Sequence, residues 1–246
     1  MNRKLVAACL VMAAGASVAN AQAIMYDGLN AGTNITFTGS NPRTYMSQAF
    51  SVTDPTATPT IGTVRVVLVA GAAVNFANTR IRVTLWDTYD PAATGAATVF
   101  SNSLGTFNFT TGPVTSAGAA SFVFTLGLGA GVPLTGLTNH GISFNWQSDA
   151  AGTGAFIDNS LLTTALRTGA TGSPPPALTL GSNLNPAGGY FRNASGLTNF
   201  NATAGDARSI TNVGGLAFEL IAVPTPGAAA LLGMGGLMAA RRRRTA

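Results

Sequence analysis

One histidine, His140, bounds the chemistry available to this chain. A His-rich metal site is excluded, and a serine triad would have to recruit this single ring as its base. His140 sits in Thr138-Asn139-His140-Gly141, just ahead of an alternating apolar run, and no G-x-S-x-G nucleophile elbow occurs. It therefore reads as a loop residue. Two carboxylate pairs, Asp87 with Asp90 and Asp149 with Asp158, have residue types that could act as the acid and base of a glycosidase. Asp87 and Asp90 frame Thr88-Tyr89 immediately before Pro91, the pattern of a strand exit with turn-capping aspartates. Gly127-Leu128-Gly129-Ala130-Gly131 is glycine-rich like a phosphate loop but lacks the following Lys-Ser/Thr and a helix to open. It reads as a flexible loop ending at Pro133. No Asp-x-Asp-x-Asp-Gly string marks a calcium loop, although Asp side chains and backbone carbonyls could assemble one. The expectation is a protein without catalysis, cofactor or resident metal.

Aromatic side chains are the remaining candidates for recognition. On period-two alternation Trp86 falls on the face opposite Ile81, Val83 and Leu85, beside Arg82, with Tyr89 three residues on. An exposed Trp86 and Tyr89 could stack on a sugar ring; a strand end or a covering loop would instead take Trp86 out of play. Trp146 shares its face with Ile142 and Phe144 and is expected in the core.

Strands must position these residues. Thr63 to Val69 sets Val64, Val66 and Leu68 against Arg65, Val67 and Val69, and Arg80 to Trp86 alternates in the same way. Such a pattern predicts a sheet with one face buried. It recurs in residues 104–109, 121–126 and 141–146, and in Leu216, Phe218 and Leu220. Weaker strands are expected at 34–38, 48–52, 155–157 and 189–192. Turn signals separate the runs: Ser40-Asn41-Pro42, Thr53-Asp54-Pro55, Asp90-Pro91, Gly112-Pro113 and Gly131-Val132-Pro133. Gln147 to Gly188, with Pro174-Pro175-Pro176 inside it, reads as a long loop or flap. The predicted class is all-β, an antiparallel β-sandwich or jelly roll, flanked by an N-terminal signal helix and a short C-terminal transmembrane-like helix.

The formal net charge of +5 suggests nucleic acid until the charges are located. Arg3, Lys4 and Arg241 to Arg244 carry the excess, while the body holds seven scattered arginines against eight acids and no lysine. A duplex-binding surface needs clustered cations, so nucleic-acid binding is not expected. Only 9% of residues are charged, and the surface is expected to be hydrated through neutral hydroxyl and amide groups.

Both ends read as addresses. Arg3 and Lys4, an apolar run from Leu5 to Val18, and small-x-small cleavage choices at Ala19, Ala21 and Ala23 have the layout of a secretory signal peptide over 1–23. The lone Cys9 lies near the start of that run, unlike a lipid-attachment cysteine, and the mature protein would have no disulfide. Residues 24–222 form the β domain. Residues 223–246 combine a rigid Pro224-Thr225-Pro226-Gly227 turn, an Ala/Gly/Leu/Met run to Ala240, and four terminal arginines. Four arginines are costly to translocate, and an apolar segment of about fourteen residues makes roughly 21 Å of helix against a hydrocarbon core of about 30 Å. The segment suits temporary lodging.

In its order of parts this tail resembles the PEP-CTERM sorting signal, also catalogued as the ice-binding protein C-terminal motif. Pro224 and Pro226 match its two prolines, and Thr225 stands where the motif carries Glu. The resemblance implies that the segment halts in the inner membrane with Arg241, Arg242, Arg243 and Arg244 cytoplasmic. It also implies that an exosortase cuts near the Pro-x-Pro element after passage through the secretion translocon, and that the product reaches the cell surface or an exopolysaccharide matrix. The body is diffusely similar to the choice-of-anchor β domains that accompany such signals. No flat threonine array marks an ice-binding face.

Overall fold

Alternation places the longest strands of the protein. In a computed structural model, residues 23–30, 33–36, 45–54, 58–158, 161–169, 173–193 and 201–223 are described. The signal and sorting segments, including Ala19, Ala21, Pro224 to Gly227 and Arg241 to Arg244, lie outside the described residues. Ile24–Ala222 is one compact unit.

Every strand pairing within it is antiparallel, and no α-helix occurs among the described residues. A first, five-stranded sheet contains β1 (Ile24–Asp27), β18 (Phe218–Ala222), β4 (Thr60–Ala70), β9 (Ala120–Pro133) and β12 (Leu162–Thr164). Strand β4 is its axis: β9 runs along one edge, and β18 and then β12 share the other. A second, eight-stranded sheet runs β16 (Ala207–Arg208), β15 (Tyr190–Asn193), β3 (Tyr45–Ser51), β10 (His140–Asp149), β6 (Asn78–Tyr89), β7 (Phe100–Thr111). Two short strands join it, β11 (Ile157–Asp158) beside β10 and β14 (Ser182–Asn183) beside β3. A third sheet pairs β17 (Val213–Leu216), β13 (Leu166–Thr168) and β2 (Asn34–Thr36), and β5 (Val74–Phe76) pairs with β8 (Val114–Ser116).

The main core lies between the first two sheets. Val64, Val66 and Leu68 from β4 meet Ile81, Val83 and Leu85 from β6, with Ile142, Phe144 and Trp146 from β10, all fully buried. Each such side chain contributes about 1.5–3 kcal/mol of transfer free energy. Tyr26 stacks on Phe218 at 4.4 Å, and Phe144 tilts against the same ring at 5.8 Å. Along β7 and β9, each with a single pairing partner, the inward phenylalanines 107, 109, 122 and 124 are only partly buried because no further strand continues either sheet there.

The alternation of β4 underestimates its burial. Val67 and Val69, expected on an outer face, are buried as well. The third sheet covers them, and it exists because two strands change sheets through a single alanine. β12 becomes β13 at Ala165, and β17 becomes β18 at Ala217. At that level Val67 N–H donates to Ala217 O at 3.2 Å, Ala217 N–H to Ala165 O at 2.8 Å, and Ala165 N–H to Val67 O at 2.8 Å. The three bonds close a ring, and both alanines are buried in one cluster with Val67 and Val69. Arg65, on the same face but beyond this cover, pairs with Glu219 at 2.6 Å.

The 147–188 segment is therefore not a long loop: β11, β12, β13 and β14 lie within it, and Leu162, Ala165 and Leu166 are core. The Gly127–Gly131 run is likewise not a loop. It lies within β9, where Gly129 and Gly131 take φ of 65° and 88° and the register with β4 shifts between Ile61 and Thr63. The glycines permit this bulge. Gly131-Val132-Pro133, expected to turn, instead ends the strand with Pro133 opposite Thr60.

Because Ala165 is fully buried at a three-way backbone junction, Ala165→Leu overfills it. The expected loss is about 1–3 kcal/mol in urea unfolding, by analogy with other overpacked sites; unchanged stability would show that the junction is loose.

Candidate functional site

His140 opens strand β10 and is buried, which corrects the expectation of a loop residue. Asn139 before it takes φ of 65°, so the chain turns sharply and delivers the ring inward against Phe50 at 5.8 Å. The ring Nδ1 lies 3.1 Å from Asp87 O and 3.4 Å from Asp87 Oδ1, and Nε2 lies 2.9 Å from Gly136 O. Asp87 in turn accepts from Thr135 N–H at 3.1 Å and Thr135 Oγ–H at 2.6 Å. The cluster ties the 134–139 turn to the end of β6. Both nitrogens face acceptors rather than a hydroxyl, so the geometry orients no nucleophile.

Each remaining candidate carboxylate has its own local partner. Asp90 accepts from Ala92 N–H at 2.8 Å, a turn cap of the expected kind. Asp149 accepts from Thr153 N–H at 3.0 Å and Gly154 N–H at 2.7 Å, across a loop where Gly152 and Gly154 have φ of 73° and 85°. Desolvation would raise its pKa, but the bonds from Gly154, Thr153, Asn78 and Gly152 outweigh it and hold the carboxyl below its ordinary value. Asp158 is exposed and accepts from Gln147 Nε2 at 3.0 Å. No group of three His, Cys, Asp or Glu side chains that could hold a metal occurs among the described residues.

The outer face of the eight-stranded sheet gathers the other polar candidates. Antiparallel register sets Arg82 between Asn108 and Asn145, Thr84 between Thr106 and Ser143, and Arg80 between Thr110 and Gln147. Arg82 Nε donates to Asn108 Oδ1 at 2.8 Å, the Thr84 and Thr106 hydroxyls lie 2.9 Å apart, and the Arg80 guanidinium sits 3.9 Å from the Phe156 ring centre. Trp86 ends this row. Its Nε1–H donates to Ser143 Oγ at 2.9 Å, which also bonds Tyr45 OH at 2.8 Å. The indole stacks on Phe100 at 6.1 Å and 17° and is half-buried. Phe100 can lie there because a Cβ on Gly141 would come within 2.3 Å of its ring. Tyr89 is buried against Phe100 and Phe191, and burial, followed by the nearby Asp90, raises its phenol pKa. The face thus carries one partly open indole at the end of a row along which Thr106, Asn108 and Thr110 are exposed, a set able to hydrogen-bond a neutral, hydroxyl-rich ligand. Tyr89 presents no open ring for stacking.

Period two places Arg80, Arg82 and Trp86 on one face, but Asn108 and Gln147 join them only through strand register, which the sequence leaves unspecified. Comparison with protein-family models, with curated proteins and with solved structures finds no match to this chain.

Asp149 sets an acid limit on stability. A carboxyl held below its unfolded value of about 3.9 contributes fully above that pH and loses its contribution as pH falls through the lowered folded value. Wild type is expected to exceed Asp149→Asn in thermal midpoint at neutral pH, with the gap closing under acid. A gap independent of pH would refute the assignment.

Proposed function

We propose that this chain is an exported protein of a Gram-negative-type envelope, sorted through its C-terminal segment and acting by interaction rather than catalysis at the cell surface or in an exopolysaccharide matrix. Its body is read as a β-sandwich of jelly-roll type. The observation that carries the reading is the tail: Pro224-Thr225-Pro226-Gly227, a short apolar run and Arg241 to Arg244, set behind a body of nearly balanced charge. The N-terminal apolar run with Arg3 and Lys4 ahead of it supports the same route. The transient partners are the translocon, the membrane and an exosortase-like processing enzyme. No nucleic acid or cofactor is required.

Mass spectrometry of the native protein from fractionated cells reads both ends at once. The expected product begins after Ala21 or Ala23, ends near Pro226 and is found outside the cell. Replacing Arg241 to Arg244 with serine should leave the tail unprocessed. Recovery of intact Met1–Ala246 from the soluble cytoplasm would end the proposal.

A second reading, a carbohydrate-binding surface module, is favoured by Trp86 at the end of the Arg82–Asn108 row. In polysaccharide pull-down, Trp86→Ala and the exposed Asn108→Ala should each weaken retention by about tenfold, the scale of one stacking or hydrogen-bonding contact. Equal retention by both variants rejects that face.

A further inference from the structure

One side of the two main sheets is left open. Strand β7 ends the eight-stranded sheet and β9 flanks the five-stranded one, and among the described residues each pairs along one edge only, β7 with β6 and β9 with β4. The small β5–β8 pair joins them. β4, β5 and β6 run antiparallel to β9, β8 and β7, so one two-stranded ribbon bends from the first sheet into the second, and both free edges belong to its outer strand. Unpaired N–H and C=O groups along such an edge are a template for another strand.

The devices that usually blunt an edge are missing here. No Asp, Glu, Lys or Arg occurs between Asp90 and Asp149, and the prolines of the ribbon stand outside its regular pairing, Pro113 at the crest and Pro133 at the end of β9. Positive φ is confined to the ends away from the crest, at Asn102 and Gly105 in β7 and at Gly129 and Gly131 in β9. Residues 106–111 and 120–127 remain regular and neutral.

Both stretches carry the same motif at the same level. Asn108 lies three residues before Thr111, where β7 reaches the crest, and Val123 lies three residues after Ala120, where β9 leaves it. Asn108 and Val123 are exposed, Val123 at 58%, whereas Phe107, Phe109, Phe122 and Phe124 pack against the main core and are only partly buried. Phe107-Asn108-Phe109 and Phe122-Val123-Phe124 are each symmetric about the middle residue. A twofold axis through Asn108 and Val123, normal to the sheets, therefore sets each edge antiparallel to its own copy, with Phe107 opposite Phe109 and Phe122 opposite Phe124.

That symmetry selects the occupant. A partner that satisfies this side must offer two edges at once, one per sheet and at the same spacing, and a second copy of this chain does so by construction. No charge on either copy opposes the approach, and the partly buried phenylalanines gain cross-strand aromatic neighbours. We propose that β7 and β9 form the interface of a homodimer, in which both sheets continue from one copy into the other. The inference is independent of the sorting route.

Sedimentation of the full chain, with nonionic detergent to cover its apolar ends, tests it. Two short paired edges make a small interface, so a dimer with a dissociation constant of about 10 µM is expected. Val123→Lys and Val123→Glu each place like charges across the axis and should weaken the dimer by about tenfold or more, whereas an equimolar mixture of the two variants should restore association. Thermal midpoints under dilute, monomeric conditions should stay near wild type, since Val123 is exposed. Thr94→Lys, in an exposed loop outside both stretches, should dimerise normally. A chain that stays monomeric up to about 100 µM overturns the proposal and leaves the edges to a different partner. Equal association by all variants, or a mixture no tighter than its components, overturns it as well. An open series of species beyond the dimer overturns the twofold, because it requires an edge left unpaired.

Discussion

Three backbone amides at one level of β4 hold the sheets in their relation. Val67, Ala217 and Ala165 each donate to the next member and accept from the previous one, so no peptide group is left over where two strands leave one sheet for another. A strand that switches sheets ordinarily abandons its ladder for a residue, and a buried, unpaired amide costs about as much as a lost hydrogen bond. Here the two abandoned residues meet and satisfy each other through Val67. The arrangement works only if both side chains are small. Both alanines are fully buried in one cluster with Val67 and Val69.

The same junction explains why so much polar chemistry lies inside. β17 arrives beside β3 with Leu216 N–H pointed at the interior, and the Gln48 side chain meets it at 2.6 Å through Oε1 while its Nε2 donates to Tyr26 OH. A Cβ on Gly215, whose φ is 89°, would strike Gln48 Oε1 at 2.3 Å. On the other side Arg167, buried in β13, reaches Pro176 O at 2.7 Å, and Asp27 receives Thr179 N–H at 3.1 Å together with its hydroxyl. The prolines 174–176 cannot enter a ladder, so side chains rather than strand pairing pin that segment down. Burial lowers the pKa of Arg167, with Tyr26 and Asp27 opposing, and raises that of Tyr26. These groups specify one register for the third sheet, since a slip would leave them unpaired.

That division between apolar pattern and polar junction also marks how far the sequence could be read. Strands β4, β6, β7, β9 and β10 announce themselves by alternation because each keeps one face on the main core for many residues. β12 and β13 do not: three residues in one sheet and three in the next are too few for a period, and Ala165 between them carries no signal of a bend. Asn139 and the Gly127–Gly131 run were legible as departures from regular strand, but whether a glycine cluster makes a loop or a bulge depends on the partner, here β4. His140 reads as a loop residue because Thr138-Asn139-His140-Gly141 has the look of a turn, yet the turn at Asn139 is what drives its ring inward. β15 matches the weak strand expected at 189–192, whereas the two-residue β16 and the Pro186–Gly188 turn beside it carry no pattern and are defined only by tertiary pairing.

Sparse charge shapes what such a surface can recognise. Most ionised side chains described in the body are used locally: Arg65 on Glu219, Arg80 over Phe156, Arg82 on Asn108, and Asp87, Asp90, Asp149 and Asp206 on turns and caps. With signs nearly balanced and charges held in place, the body casts little long-range field, so electrostatic steering contributes little to encounter. Binding has to be won at contact, by hydrogen-bond donors already oriented and by apolar surface already flat. The Trp86 row meets that condition on the outer face. There the scaffold uses its hydrogen bonds to fix the side chains, so that a ligand would not have to order them.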